Sequence, residues 1–390
     1  MPWFRARLIK GECFPPDVPW PSGIEAYVPL HEDLLKTVAP PTNEIQIYYK
    51  RQNSSDLFPL VWIRDGKQEA GLDLTSWIRS LQEETYRPEH TRPLTARLPF
   101  HYHRIPGWAR NSLAAFLVQW NSSGLKKRPV FPVSLFNGGC EILLGVCRSA
   151  WNGGLRLPTL VLTHDIDTFL GFEWVEPMAE IEEVLGLRSS WNVVPRHYPM
   201  DEGRLCRLME RGHEIGLHGI RHDNKEAFLS EQVLRGEFHQ LKGFMEKFGI
   251  KGYRSPSWYR TKTMFKVLGE FFRYDLSCPD NDLICPAGHG GVGFVRPFRR
   301  DNGLMELPCT LPFEVPLFSS VKPGDLVDYW REKIDFVHAC QGMLLVNTHP
   351  DPNYSGNKDM ARAYEQLLKY ILKREWTRML PREVSENFKR

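Results

Sequence analysis

Three scarcities narrow the class of this chain. Eight cysteines are spread over 390 residues, yet no two form a Cys-x-x-Cys pair, so a structural zinc site built on thiolates is not expected. No apolar run reaches the ~18 residues needed for a membrane-spanning helix. Excess charge is missing as well. The 50 Lys and Arg against 47 Asp and Glu leave a formal net charge of +3. That balance gives no sign of the clustered basic surface of a nucleic-acid binder. Met1 to Pro21 carries several prolines and no signal-peptide core. A cytoplasmic protein with reduced cysteines is the expectation. Neither an internal repeat nor a low-complexity tract is found.

The chain does have an ordinary globular composition, 42% hydrophobic and 25% charged, and is long enough for one large domain or two. Two parts are expected. Residues 1–150 form an N-terminal mixed α/β extension, and residues 151–390 form the main domain on which it packs. In the extension, Pro15-Pro16, Pro19, Pro21, Pro29 and Pro40-Pro41 punctuate the start. Residues 45–49 and 60–63 read as short strands. A helix is expected over 109–120, with Leu113, Phe116, Leu117 and Trp120 on one face. Its basic flanks, Arg104, Arg110 and Lys126 to Arg128, would also suit an anionic membrane surface. Packing against the domain is the plainer reading of an apolar face. Residues 151–154, Trp-Asn-Gly-Gly, read as a linker.

From residue 157 onward, strand-like and helix-like segments alternate. Strands are expected at 158–166, 189–194, 213–218, 252–256, 273–277 and 343–348. Helices are expected at 174–186, 202–211, 230–248, 261–271, 324–340 and 358–374. Such alternation gives parallel strands with crossover helices. Six or seven of them suggest an α/β barrel with its chemistry at the C-terminal strand ends. The Gly-, Pro- and Phe-rich stretch 289–320 reads as a hairpin or loop insertion.

The strand ends carry the reactive residues. Thr163-His164-Asp165-Ile166-Asp167 closes an apolar run. Alternate strand residues share a face, so Asp165 and Asp167 point the same way and repel unless a cation sits near them. His218 and His222, four apart after another strand, would share one side of a helical turn. Two imidazoles and one carboxylate make a facial set that leaves metal positions open for water and substrate. Asp223 is placed to orient His222. Tyr253-Arg254-Ser255-Pro256-Ser257-Trp258 offers a guanidinium for a carboxylate and a flat ring. His349, in Val346-Asn347-Thr348-His349-Pro350, is a plausible proton donor. Each residue alone also fits an Asp-rich turn, a structural ion pair or a packed aromatic. Their number and order favour a site.

The ordered set T-H-D-x-D, H-G-x-x-H-D, R-S-P-S-W, Y-D-x-S and L-V-N-T-H-P resembles the polysaccharide deacetylases with a NodB-type domain, carbohydrate esterase family 4, over roughly residues 157–375. The resemblance implies a distorted (β/α)7-type barrel with fewer strands than the eight-fold form. It implies one divalent metal, Zn2+ first and Co2+, Ni2+ or Mn2+ as alternatives, and hydrolysis of N- or O-acetyl groups on sugars. Carried over by position, Asp167, His218 and His222 would be the metal ligands. Asp165 would be the general base, His349 the general acid, Arg254 the tether of Asp165, and Asp275 the residue tuning the acid. Ser257 and Trp258 would bind substrate. Ile166 separates two aspartates that are more often adjacent in the family, so the base and ligand roles of Asp165 and Asp167 are exchangeable at this point. Gly219 replaces a usual Ser or Thr and removes a loop hydrogen bond. The implied partner is an acetylated sugar or a surface-polysaccharide precursor within a bacterial cell. Three rivals share parts of this set: another C–N hydrolase acting on a ureide or cyclic imide, a non-haem iron oxygenase, and a non-catalytic glycan-binding relic.

Overall fold

A computed structural model describes residues 3–20, 24, 26–36, 44–51, 54–93, 95–97, 112, 116, 137–147, 157–281, 290–319 and 321–388. The helix expected over 109–120, Ser112 and Phe116 apart, and the linker at 151–154 lie outside them.

The N-terminal part is an antiparallel sheet of five strands, β1 (Trp3–Lys10), β2 (Tyr27–His31), β3 (Ile45–Arg51), β4 (Phe58–Arg64) and β5 (Lys67–Ala70), in the order β2-β1-β3-β4-β5. Helix α1 (Leu74–Gln82) comes next, capped by Asp73, whose side chain accepts from the Ser76 amide. Its apolar face puts Trp77, Ile78 and Leu81 into the core. The apolar segment after Asn137 is a helix, α2 (Gly139–Val146), seven of its eight residues buried. Its Glu141 accepts from the Val295 amide and from Arg296. This sheet and the barrel helices share one hydrophobic cluster, so the N-terminal part packs on the barrel through a common interior.

The second sheet holds β6 (Thr159–Ile166), β7 (Ser189–Val193), β8 (Glu214–His218), β9 (Gly252–Arg254), β10 (Tyr274–Asp275), β11 (Phe298–Arg299), β12 (Met305–Glu306), β13 (Leu311–Pro312), β14 (Met343–Thr348) and β15 (Thr377–Arg378). Helices intervene: α3 (Phe169–Glu173), α4 (Val175–Val184), α5 (Glu202–Glu210), α6 (Glu231–Gln240), α7 (Lys242–Lys247), α8 (Lys262–Phe271), α9 (Leu326–Ala339), α10 (Lys358–Ile371) and α11 (Pro381–Asn387). Strands β6 to β10 pair in parallel, and β14 pairs parallel with β6. One segment closes the ring. Its first part, β12, pairs parallel with β10, and its second part, β13, pairs parallel with β14. The result is a seven-membered, all-parallel ring, the distorted barrel expected. The stretch 289–320 is therefore only partly a hairpin, β11 against β12. Its remainder is the seventh strand, hidden in sequence because Pro308 and Pro312 interrupt its pattern.

Helix boundaries obey ordinary capping. Asp201, Ser230, Thr261 and Asn357 each accept a main-chain N–H in the first turn, worth ~1 kcal/mol per cap. The expected 230–248 helix is broken at Leu241 into α6 and α7.

Strand alternation sorts the barrel. Val161, Tyr274, Leu276, Met305, Leu307, Met343 and Leu345 fill the interior as one cluster. Leu160, Leu162, Trp191, Ile215, Leu217, Leu344 and Val346 face the helices. Two residues on from an interior position is again interior. Asp165 therefore lies inside at the C-terminal end of β6, above Val161 and Thr163.

Candidate metal centre

Asp167, His218 and His222 converge at this end of the barrel. Asp167 stands just past β6, His218 ends β8, and His222 lies in the loop beyond. His218 and His222 do not share a helical turn. Gly219 (φ +64°) and His222 (φ 52°) are both left-handed, and the chain doubles back to bring the rings together. A Cβ on Gly219 would come within 2.7 Å of Glu226 and Pro256 atoms. Ser or Thr is excluded there, and Glu226 itself receives the Ile220 and Arg221 amides. Asp223 does not orient His222; its carboxylate accepts from the Lys225 amide and pairs with the Lys225 ammonium.

The three donor atoms form a near-equilateral triangle. Asp167 Oδ1 lies 3.3 Å from His218 Nε2 and 3.2 Å from His222 Nε2, and the two Nε2 atoms are 3.1 Å apart. Tetrahedral ligands at about 2.0–2.2 Å from an ion stand roughly 3.3–3.6 Å from one another, so closing on a metal needs shifts of only tenths of an ångström. Asp167 Oδ1 is buried and in hydrogen-bond geometry with no group among the described residues. A buried carboxylate oxygen without a donor is costly, and a cation at the triangle's centre removes that cost. His218 is already in the required tautomer. Its Nδ1 lies 3.1 Å from the Arg254 carbonyl oxygen. An oxygen of that kind only accepts, so Nδ1 carries the proton and Nε2 presents its lone pair. These residues fit a divalent ion.

Electrostatics agree. Burial pushes the Asp167 carboxyl up, but the imidazoles of His222 and His218 outweigh it and hold it well below the usual range. Burial lowers His218, and Asp165 and Asp167 outweigh that and raise it. A place where carboxylates hold a proton on an imidazole is a place that favours a metal cation.

Asp165 sits apart from the triangle, which separates the two aspartates. Its Oδ1 accepts from Asn192 Nδ2 (2.9 Å) and Arg254 Nη1 (3.0 Å), and its Oδ2 from Asn347 Nδ2 (3.0 Å). Burial pushes this carboxyl up, yet Arg254, with His218 and His349, brings it to about 2. Arg254 is fully buried; its Nε donates to the Leu276 carbonyl and its Nη1 also reaches Thr163 and Asn347.

His349 faces the group, its Nε2 3.8 Å from Asp165 Oδ2. Its partner is Glu314, just past β13. Glu314 accepts the His349 amide (2.6 Å), the Ser355 hydroxyl (2.6 Å) and, at 3.4 Å, the Nδ1 side of the ring. Burial lowers His349, but Glu314 overrides it and the imidazole is raised to about 10.

Other expected residues stand elsewhere. Tyr274 and Leu276 point into the barrel, so Asp275 between them points out, away from His349. It accepts from the Ser277 amide and hydroxyl, and burial beside Glu306 raises it well above the usual range. Trp258 is buried against the interior cluster and offers no open ring face. Ser257 is half-buried at φ 51°. Sequence reasoning missed Glu314, which comes after an unrecognised strand and carries no local signal. It also passed over Asn192, a polar residue near the C-terminal end of β7, the position at which strand-end site residues stand.

No family model matches the chain. A curated peptidoglycan deacetylase of Helicobacter pylori is 24% identical over 211 residues, 46% of this chain and 72% of that protein. Among solved structures, a candidate polysaccharide deacetylase of Mycobacterium smegmatis is similar at 20% identity and a TM-score of 0.46, over 60% of this chain and 91% of that one. A PuuE allantoinase is similar at 14% and 0.44, over 60% and 91%. A family 4 pseudoenzyme of Bacillus anthracis is similar at 14% and 0.40, over 59% and 66%. The five ordered motifs stand on a seven-stranded parallel barrel, and in sequence the chain is similar to a curated peptidoglycan deacetylase.

Proposed function

We propose that this protein is a metal-dependent hydrolase that removes an N-acetyl, or O-acetyl, group from a sugar of a surface-polysaccharide precursor in the cytoplasm. The observation that carries the reading is the triangle of Asp167 Oδ1 and two Nε2 atoms, with its unpartnered buried oxygen, set beside an ionised Asp165 and a protonated His349.

Asp167, His218 and His222 would hold one divalent ion, Zn2+ first among the candidates, which when bound supplies Lewis acidity and a water of pKa about 7. The protein's own groups handle the protons. Asp165 is ionised and aimed by Arg254, Asn192 and Asn347. A carboxylate has about four lone-pair positions and these donors use three. The remaining position takes a proton from the attacking water as its oxygen adds to the acetyl carbon. His349, kept protonated by Glu314, gives its proton to the departing sugar nitrogen as the C–N bond breaks, since an unprotonated amide nitrogen is a prohibitive leaving group. Acetate and an amino sugar result. Asp165 then carries the proton that His349 has lost, and closing their 3.8 Å separation by about 1 Å to hydrogen-bond distance returns it.

The test is acetate release by purified protein across N-acetylated sugar nucleotides, lipid-linked oligosaccharides and peptidoglycan fragments, with allantoin as a ureide control. Metal content is measured on the same sample. Acetate release that depends on the metal is expected. Ureide turnover without acetate release, or no turnover with the site loaded, would overturn the reading.

A further inference from the structure

Residues 84–90 of the N-terminal part reach across two barrel loops, the one after β9 and the one after β10. Glu84, buried, accepts from Arg260 Nε at 2.6 Å and from Arg260 Nη2, and it also pairs with Arg87. Arg260 is 1% exposed. Its guanidinium also donates to main-chain oxygens, those of Trp258 (2.9 Å), Ser277 (3.4 Å) and Gly290 (3.0 Å). The same segment holds these loops by their main chain too. His90 Nδ1 accepts the Arg260 amide, Glu89 the Lys262 amide, and the Tyr86 hydroxyl lies between the Gly291 amide and carbonyl.

The loop so gripped is strained. Ser257 (φ 51°) and Trp258 (φ 54°) are consecutive left-handed residues, and Glu84 itself sits at φ 53°. Such conformations are costly and persist only where the surroundings over-determine them. Arg260 supplies that constraint by seizing the Trp258 carbonyl. Two residues before the strained pair, the Ser255 amide donates to the Ser277 hydroxyl at 2.8 Å, so both ends of the turn are tied to the β10 loop. Immediately upstream is Arg254, whose carbonyl sets the His218 tautomer and whose side chain holds Asp165.

We propose that Glu84 is a positioning residue for the barrel's catalytic centre: through Arg260 it locks the strained Ser257–Trp258 turn and thereby the placement of Arg254. The N-terminal part is then a working component of the site and not a detachable module. Its influence on acetate release rests on the deacetylase reading, whereas its grip on the loop does not.

The test compares full-length wild type with Glu84→Asp and Glu84→Gln. Glu84→Asp keeps the charge and the carboxylate fork but is one methylene too short to reach Arg260 from the same main-chain position. Glu84→Gln keeps the length and loses the charge. Removing a charge from a buried pair is costly, so the Asp variant decides if the Gln variant does not fold. Two quantities are read well below the melting temperature: kcat and KM for acetate release, and amide exchange of residues 255–261 against that of β6 and β14. The expected result is a roughly 10- to 100-fold loss in kcat with KM little changed, as misplacement of a reacting group produces. Faster exchange should be confined to 255–261. Wild-type behaviour of Glu84→Asp in either arm overturns the proposal. So does a loss of protection spread evenly over the barrel, or failure of both variants to fold, since the pair would then serve stability alone. If wild type itself releases no acetate, the deacetylase reading falls and the exchange arm still judges the lock.

Discussion

His218 and Arg254 are joined by an unusual division of labour: the main-chain oxygen of Arg254 receives the His218 Nδ1 proton at 3.1 Å, while its side chain holds Asp165 at 3.0 Å. One residue thus aims the imidazole of the proposed metal triangle and tethers the proposed base. The two functions are separable by substitution at Asp165. Asp165→Asn should bind metal like wild type, because the triangle holds no Asp165 atom and the Arg254 carbonyl sets the His218 tautomer. Turnover should fall by roughly 100- to 10,000-fold, the usual worth of a general base. Metal analysis and acetate release on one preparation check both. Unchanged turnover would remove Asp165 from the base role.

Substitution within the triangle should give the complementary phenotype. His222→Ala or Asp167→Asn should lose bound metal and acetate release together. Wild type should also be stabilised by added Zn2+, by up to about 4 kcal/mol at a thousandfold excess over Kd. Neither variant should respond. Thermal melts with and without the ion, and with a chelator, are the measurement. A variant that still gains melting temperature with Zn2+ would place the ion elsewhere.

The legible parts of this site lie at the C-terminal ends of strands that the sequence marks. Asp165, Asp167 and His349 come after the apolar runs at 160–162 and 344–346, His218 and Arg254 end two further expected strands, and strand alternation with helices places all five at one mouth of a barrel. The parts that were not legible depend on contacts far apart in sequence. The seventh strand is broken by prolines, so Glu314 at its end could not be placed. Motif position assigns Asp275 a role, but alternation in β10 turns it outward, and Glu314, just past β13, stands beside His349 instead. Trp258 reads as a binding platform in its motif; the left-handed turn that Arg260 secures buries it. The helical pairing inferred for His218 and His222 failed because Gly219 allows a tighter reversal than a helix.

The His349–Glu314 contact makes a pH prediction with a definite sign. An imidazole raised to about 10 from its ordinary value near 6.5 keeps its proton through neutrality and loses it on the alkaline side. Activity that needs the protonated form should therefore persist to about pH 10 and fall above it. The stability this proton contributes is fully present below the ordinary histidine value and is lost as pH rises through the folded one. Glu314→Gln removes the charge that Nδ1 faces, so the alkaline limb of kcat/KM should move toward neutral pH. A pH–rate profile of wild type and Glu314→Gln checks this. Coincident alkaline limbs would mean that Glu314 does not hold the proton on His349.

Gly216 gives the most local test of how Asp165 is aimed. It lies on β8 directly opposite Asn192 of β7, and a Cβ built on it would fall 2.1 Å from Asn192 Oδ1. Contact that close cannot persist, so in Gly216→Ala the Asn192 amide must rotate or withdraw. Its Nδ2 then leaves Asp165 Oδ1, from which it now stands at 2.9 Å. Arg254 and Asn347 still hold the carboxylate, so the base is loosened and not lost. A hydrogen bond to a charged group is worth about 1.5–3 kcal/mol, which as a transition-state loss is roughly a 10- to 150-fold drop in kcat. Metal content should be unchanged, because Gly216 and Asn192 bear on Asp165 and not on the triangle. Asn192→Ala should reproduce the loss, and adding it to Gly216→Ala should cost little more, since both remove the same donor. Additive losses in the double variant would show that Gly216 acts by another route.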